Sequence, residues 1–109
     1  MSVLSEATIS QLIDEEKAFL HITWHDPADY QALKQYTLMS AKRLERIYGG
    51  DINWGNTAEE ADCLAHELLL YRVFYMREHA LDDFEDNFRG ELMALMNMGR
   101  IKNKKQAVM

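Results

Sequence analysis

The stretch from Cys63 to Met76, CLAHELLLYRVFYM, decides how this chain is read. Only His66, Glu67 and Arg72 interrupt its apolar residues, so a helix here is greasy on nearly every face. Such a helix belongs inside a bundle or at an assembly interface, because one amphipathic contact would leave half of its surface in water. The length of the segment and its lack of Gly and Pro argue against a strand. Upstream, Thr57 can cap the free amides and Glu60, three residues on, completes a capping box. The expected element is a central helix from Thr57 to Leu81, in an all-α bundle of about four helices.

Before it, Thr8 and Gln11 make a second capping-box pattern, and Ile9, Leu12, Ile13, Phe19 and Leu20 approximate one apolar face. Asp14, Glu15 and Glu16 fall in the solvated remainder, and the helix should end near His21 or Ile22. Asp26 followed by Pro27 then starts a second helix: the carboxylate accepts orphan amides and Pro has no amide to lose. Tyr30, Leu33, Thr37, Ala41, Leu44, Ile47 and Tyr48 recur at helical spacing up to Gly49 and Gly50, which can take the left-handed conformation that closes a helix. Lys42, Arg43 and Arg46 crowd the last turns and read as a solvated face matched to the helix dipole, ahead of a phosphate site. In the loop GGDINWGN, Trp54 either packs back on the core or meets a partner, and the same choice applies to Trp24.

After the central helix a break is expected between His79 and Asp83, with Asp82 or Asp83 as cap. Phe84, Phe88, Leu92, Leu95 and Met96 then define a narrow stripe for a last helix that stops at Gly99. The chain therefore divides into a helical domain, 1–99, and a basic tail, 100–109. The tail, RIKNKKQAVM, carries Arg100, Lys102, Lys104 and Lys105, and reads as disordered in isolation and available to fold on a partner.

At 109 residues the chain is one domain. Its net charge of -6 is unevenly placed. Removing the tail's four cations from the total of 12 leaves 8 basic against 18 acidic side chains, a body of -10 that repels nucleic acid. The tail alone could attract DNA, and four charges without aromatic interleaving fit an acidic protein partner equally well. The single cysteine, Cys63, excludes an internal disulfide and reads as an inert core thiol. Met1 to Ser10 lacks the pattern of a secretory signal, and Arg72 and Arg77 interrupt the longest apolar run well short of the roughly 20 residues of a membrane span. The expected compartment is the cytoplasm.

Catalytic and metal chemistry find little footing. His21 and His25 are four apart, but Pro27 spoils a shared helical face and no further ligand is evident. Cys63 and His66 form a lone Cys-x-x-His that reads as packing. None of the four histidines has a Glu three residues before it, which removes the Glu-x-x-His of di-iron carboxylate bundles. There is no phosphate loop, nucleophile elbow or His-Glu-x-x-His. The acid pairs Glu59/Glu60 and Asp82/Asp83 sit at expected helix starts, where the dipole accounts for them. No enzyme, cofactor or metal is expected.

The run LLLYRVFYMREHALDDFEDNFRGELMALMNM resembles the head-tail connector (head-completion adaptor) proteins of long-tailed bacteriophages, in its Arg72, Tyr75, Ala80-Leu81, Phe84-Glu85 and Asn87-Phe88 and its final Leu-rich turn. ISQLIDEEKAFLHI and DYQALKQYTLMSAKRLERIYGG are similar to the first two helices of that family, so the likeness covers roughly residues 8 to 98. The resemblance implies a non-enzymatic virion protein, made in the bacterial cytoplasm, that forms a homo-oligomeric ring of about a dozen subunits. It further implies a place between the portal and the next head-completion or tail protein, where DNA passes through the channel without specific binding and no membrane is involved. Arg72, Tyr75, Phe84, Asn87 and Phe88 match the family pattern as structural or subunit-contact positions. The portal contact would fall to the tail, with Trp24, Trp54, Arg100, Lys102, Lys104 and Lys105 as further contacts. The other reading is a cytoplasmic helical module, a small regulator or chaperone, that docks one partner protein.

Overall fold

Five helices follow one another: α1 (Glu6–Phe19), α2 (Pro27–Tyr48), α3 (Glu60–Arg77), α4 (Leu81–Asn87) and α5 (Arg89–Val108). The computed structural model describes residues 5–20, 27–55 and 59–108, and among these there is no strand. The fold is the small all-α bundle that the apolar spacing predicts. α3 packs against all four other helices, while α2 lies against α1, α3 and α5. The molecule is flattened, 50 × 31 × 19 Å.

Two apolar clusters hold the helices together. The larger joins Leu12, Leu44, Tyr48, Ile52, Trp54, Leu68, Leu69, Phe84, Leu92 and Leu95, and the smaller joins Ile9, Ile13, Leu33 and Val73. Full burial of each such side chain contributes about 1.5–3 kcal/mol, so these residues outweigh any single surface contact. Trp54 folds back into the larger cluster, as the first of the two readings of that loop has it. The stripe from Phe84 to Met96 also faces inward, with Phe84, Leu92 and Leu95 buried.

Helix ends follow local hydrogen bonding. α1 starts three residues earlier than the Thr8 pattern suggests: Ser5 is the cap, and its hydroxyl accepts from the Thr8 amide at 3.1 Å. α1 stops at Phe19, short of His21 and Ile22, which lie outside the described residues. α2 begins at Pro27; its expected cap Asp26 is outside the described residues, as is Thr57. Gly49, at φ 84, and Gly50 both donate to the Glu45 carbonyl and close α2. α3 ends the same way without a glycine. His79 takes φ 57, its amide reaches the Met76 carbonyl at 3.1 Å, and the Ala80 amide reaches Tyr75 at 2.8 Å, the paired bonds of a Schellman end. That turn makes Ala80 the cap of α4, so Asp82 and Asp83 sit inside its first turn rather than capping it.

Four other expectations are corrected. The last helix is bent in two at Phe88, whose amide still bonds the Phe84 carbonyl while its own carbonyl accepts from Leu92. Helix α5 does not stop at Gly99. It runs on to Val108, because Gly99 is where α5 crosses the end of α2: a Cβ there would lie 1.6 Å from the Tyr48 carbonyl oxygen. The tail is accordingly docked at its start, with Lys102 Nζ 5.8 Å from the Tyr48 ring centre and Asn103 Nδ2 donating to the Gly49 carbonyl at 3.4 Å. Cys63 is exposed, since it lies on the outward stripe with Glu67 and Phe74. The protomer itself thus covers most of the greasy central helix, burying Ala65, Leu68, Leu69 and Val73 and leaving Phe74 38% exposed.

Glu16 is the fourth. It is only 1% exposed, because it continues the inward series Ile9, Leu12, Ile13 one turn on. Its Oε2 lies 2.6 Å from the Thr37 hydroxyl, which also donates to the Leu33 carbonyl at 2.7 Å. Thr37 has one hydrogen for two contacts. A protonated Glu16 satisfies both, donating to Thr37 while Thr37 donates to Leu33. Burial pushes this carboxyl up from 4.5 to about 8, so it is neutral at physiological pH.

Candidate functional site

The residues singled out by sequence fall into a packed part and a surface part. Tyr75, Phe84 and Phe88 converge where α3, α4 and α5 meet. Phe84 stacks on Phe88 with centroids 5.0 Å apart, and Tyr75 lies 5.9 Å from Phe84 and 6.1 Å from Phe88. Asn87 Nδ2 donates to the Tyr75 hydroxyl at 3.2 Å, tying the end of α4 to α3. Tyr71 extends the group to Phe19, which is 36% exposed and sits 6.4 Å from Phe74. The aromatic series therefore begins in the core and surfaces at Phe19 and Phe74. Neither of these was marked as a contact by sequence, because Phe19 counts as core on the α1 face and Phe74 disappears in an all-apolar run.

Arg72 is the unusual member. The inward face of α3 runs through Ala65, Leu68, Leu69, Arg72 and Val73, and so carries a guanidinium into the interior, where it is 7% exposed. Its Nη1 donates to the Ser40 hydroxyl at 2.9 Å and approaches Met76 Sδ at 3.3 Å, while Nε has no partner among the described residues. Among the described residues no carboxylate lies within 4 Å of it. Burial pushes the group below its usual value, Glu85 opposing and Arg43 adding to the effect. An interior charge without a counter-ion costs several kcal/mol, and burial of an aliphatic chain does not recover it. Arg43 and Glu85 face each other at 3.8 Å across this corner, both about half exposed.

Of the remaining predicted contacts, Trp54 is buried with its indole N–H unpartnered, and Arg100 and Lys102 are exposed on α5. Trp24 lies outside the described residues, as do the side chains of Lys104 and Lys105. His66 turns toward Glu15 of α1 and away from any pairing with Cys63. Open clefts lie beside the α3–α4 turn, lined by Met76, His79, Asp82 and Asp83, and between the ends of α2, α3 and α5, lined by Tyr48, Glu59, Met98 and Lys102. Among the described residues no three His, Cys, Asp or Glu side chains are placed to hold a metal ion, and no helix is long and apolar enough to cross a membrane.

No family model, curated protein or solved structure matches this chain.

Proposed function

We propose that this chain is a structural connector of a long-tailed phage particle: a helical protomer that assembles into a ring between the portal and the next head-completion or tail protein. The carrying observation is the convergence of the motif residues. Tyr75, Phe84, Asn87 and Phe88, separated by up to 13 positions in sequence, form one packed group, with Arg72 one turn before it on α3. That they pack as one group fits the structural role the resemblance gives them. Apolar side chains left in solvent, among them Phe19, Phe74, Met39, Met93 and Ile101, also suit a protomer with neighbours. The acidic body suits a channel along which DNA slides without adhering.

The test is mass measurement of the purified protein, alone and mixed with the portal protein encoded in its neighbourhood. Binding to the portal, with many copies per portal ring, is the expected result. Absence of any portal complex would refute the connector. A defined low-order complex with one other protein and no ring would place the chain with helical binding modules instead.

A further inference from the structure

At the corner formed by α2, α3 and α4 the buried Arg72 lacks a counter-ion: α4 carries Asp82, Asp83, Glu85 and Asp86, yet among the described residues none of these carboxylates comes within 4 Å of the guanidinium. Arg72 is buried with an Nε that has no partner among the described residues, and Glu85 from α4 and Arg43 from α2 act on its charge in opposite senses. The Glu85 carboxylate leans on Arg43 at 3.8 Å rather than on Arg72. Met39, one turn before Arg43 on α2, is 56% exposed, and Met76 of α3 touches both Ser40 and Arg72. Methionine and arginine around a desolvated charge are what the centre of a protein interface contains.

We infer that this corner receives an acidic side chain from a second copy of the chain, so that the Arg72 guanidinium gains its counter-ion on assembly. Charge complementarity selects the occupant: the first 99 residues carry 18 acids against 8 bases, and Glu60, Glu67 and Glu91 are among the exposed carboxylates a neighbour can present. A buried guanidinium that meets a carboxylate from a different surface of the same molecule makes a head-to-tail contact, which gives a ring where the rotation closes. The inference rests on the assembly reading above and names its chemistry.

Sedimentation velocity over a wide concentration range, on the full chain, tests it with four variants. Arg72→Met keeps the aliphatic volume and removes the charge, so the monomer should melt no lower than wild type while the concentration for half-assembly rises by roughly tenfold or more. Arg43→Met, at an exposed position, should raise it severalfold. Glu85→Gln removes the internal competitor and should lower it severalfold relative to Asp86→Asn, which changes net charge equally on a neighbouring exposed site. Should Arg72→Met not fold, the opposite shifts of Arg43→Met and Glu85→Gln carry the decision. Assembly by all variants as in wild type overturns the inference and leaves the connector standing. A wild type that stays monomeric throughout also overturns it, while portal binding still decides the connector by itself.

Discussion

Glu16→Gln should make this protein more stable at neutral and alkaline pH and remove most of the pH dependence of its stability between about 5 and 8. The carboxyl titrates at 4.5 when unfolded and at about 8 when buried beneath α2. Between those values the folded state holds a proton that the unfolded state has released, so stability falls as pH rises. The slope is about 1.4 kcal/mol per pH unit, which makes a loss of about 3 kcal/mol between pH 5.5 and 7.5. Below the lower value and above the upper one the contribution is flat. Gln cannot ionise, yet it still donates to the Thr37 hydroxyl and leaves the Thr37–Leu33 bond in place. Urea unfolding followed by circular dichroism, at pH 5.5, 6.5, 7.5 and 8.5 for both proteins, isolates the effect as a difference. With an m-value of about 1.5 kcal/mol per molar, the gap between the two midpoints should widen by about 2 M from pH 5.5 to 7.5. A gap that does not change with pH refutes the neutral, hydrogen-donating Glu16.

Three further outcomes follow from the same structure. Gly99→Ala should cost about 3 kcal/mol or more, because its Cβ meets the Tyr48 carbonyl oxygen at 1.6 Å, whereas Gly90→Ala, with nothing within 4 Å, should be neutral or gain about 0.5 kcal/mol; thermal unfolding separates them. His79→Gly should raise stability by about 0.5–1 kcal/mol, since it relieves a left-handed residue that bears a Cβ at the end of α3, and chemical denaturation will read the sign. Cys63 should react with a chromogenic thiol reagent in the native protein nearly as fast as in urea, and its alkylation should leave the melting temperature unchanged.

Much of this fold is legible in the sequence because helical periodicity is a local signal. The stripe Phe84, Phe88, Leu92, Leu95 and Met96 and the series from Tyr30 to Tyr48 name their helices and inward faces without help from the rest of the chain. What local pattern cannot show is which face of an all-apolar segment turns outward, since that depends on where neighbouring helices sit. Cys63 and Phe74 are exposed for that reason, while Leu68, Leu69 and Val73 are buried. Gly99 misleads in another way. Glycine ends a helix when it takes a positive φ, as Gly49 does, and serves as a notch when another backbone crosses it, and the letter alone does not distinguish the two. Glu16 shows a conflict between rules: its spacing from Leu12 and Ile13 points inward, its charge points outward, and Thr37, 21 residues away, resolves the conflict in favour of spacing. In the aromatic group, sequence marked Tyr75, Phe84, Asn87 and Phe88, but Phe19 joins them only through the α1–α3 packing.

Glu16 and Arg72 are buried under the same helix, α2, and their consequences differ because one can shed its charge. A carboxyl in the interior takes a proton at the cost of a pH-dependent stability, and the local chain Glu16–Thr37–Leu33 then has every hydrogen in use, with Glu16 Oε1 an acceptor that no donor reaches among the described residues. A guanidinium has no such exit: burial pushes its pKa down, but its intrinsic basicity keeps it charged in proteins. Ser40 supplies a neutral acceptor and Met76 a soft one, neither of which offsets a full charge. Two kinds of remedy exist: a carboxylate of the same chain, such as Glu85, leaves Arg43 for Arg72, or a carboxylate arrives from outside. The first only transfers the deficit, since Arg43 then stands without its own partner on the same corner. What Arg72 lacks is a carboxylate at ion-pair distance, since among the described residues those of α4, Asp82, Asp83 and Asp86 included, stay beyond 4 Å, and an acid arriving at that surface would supply it.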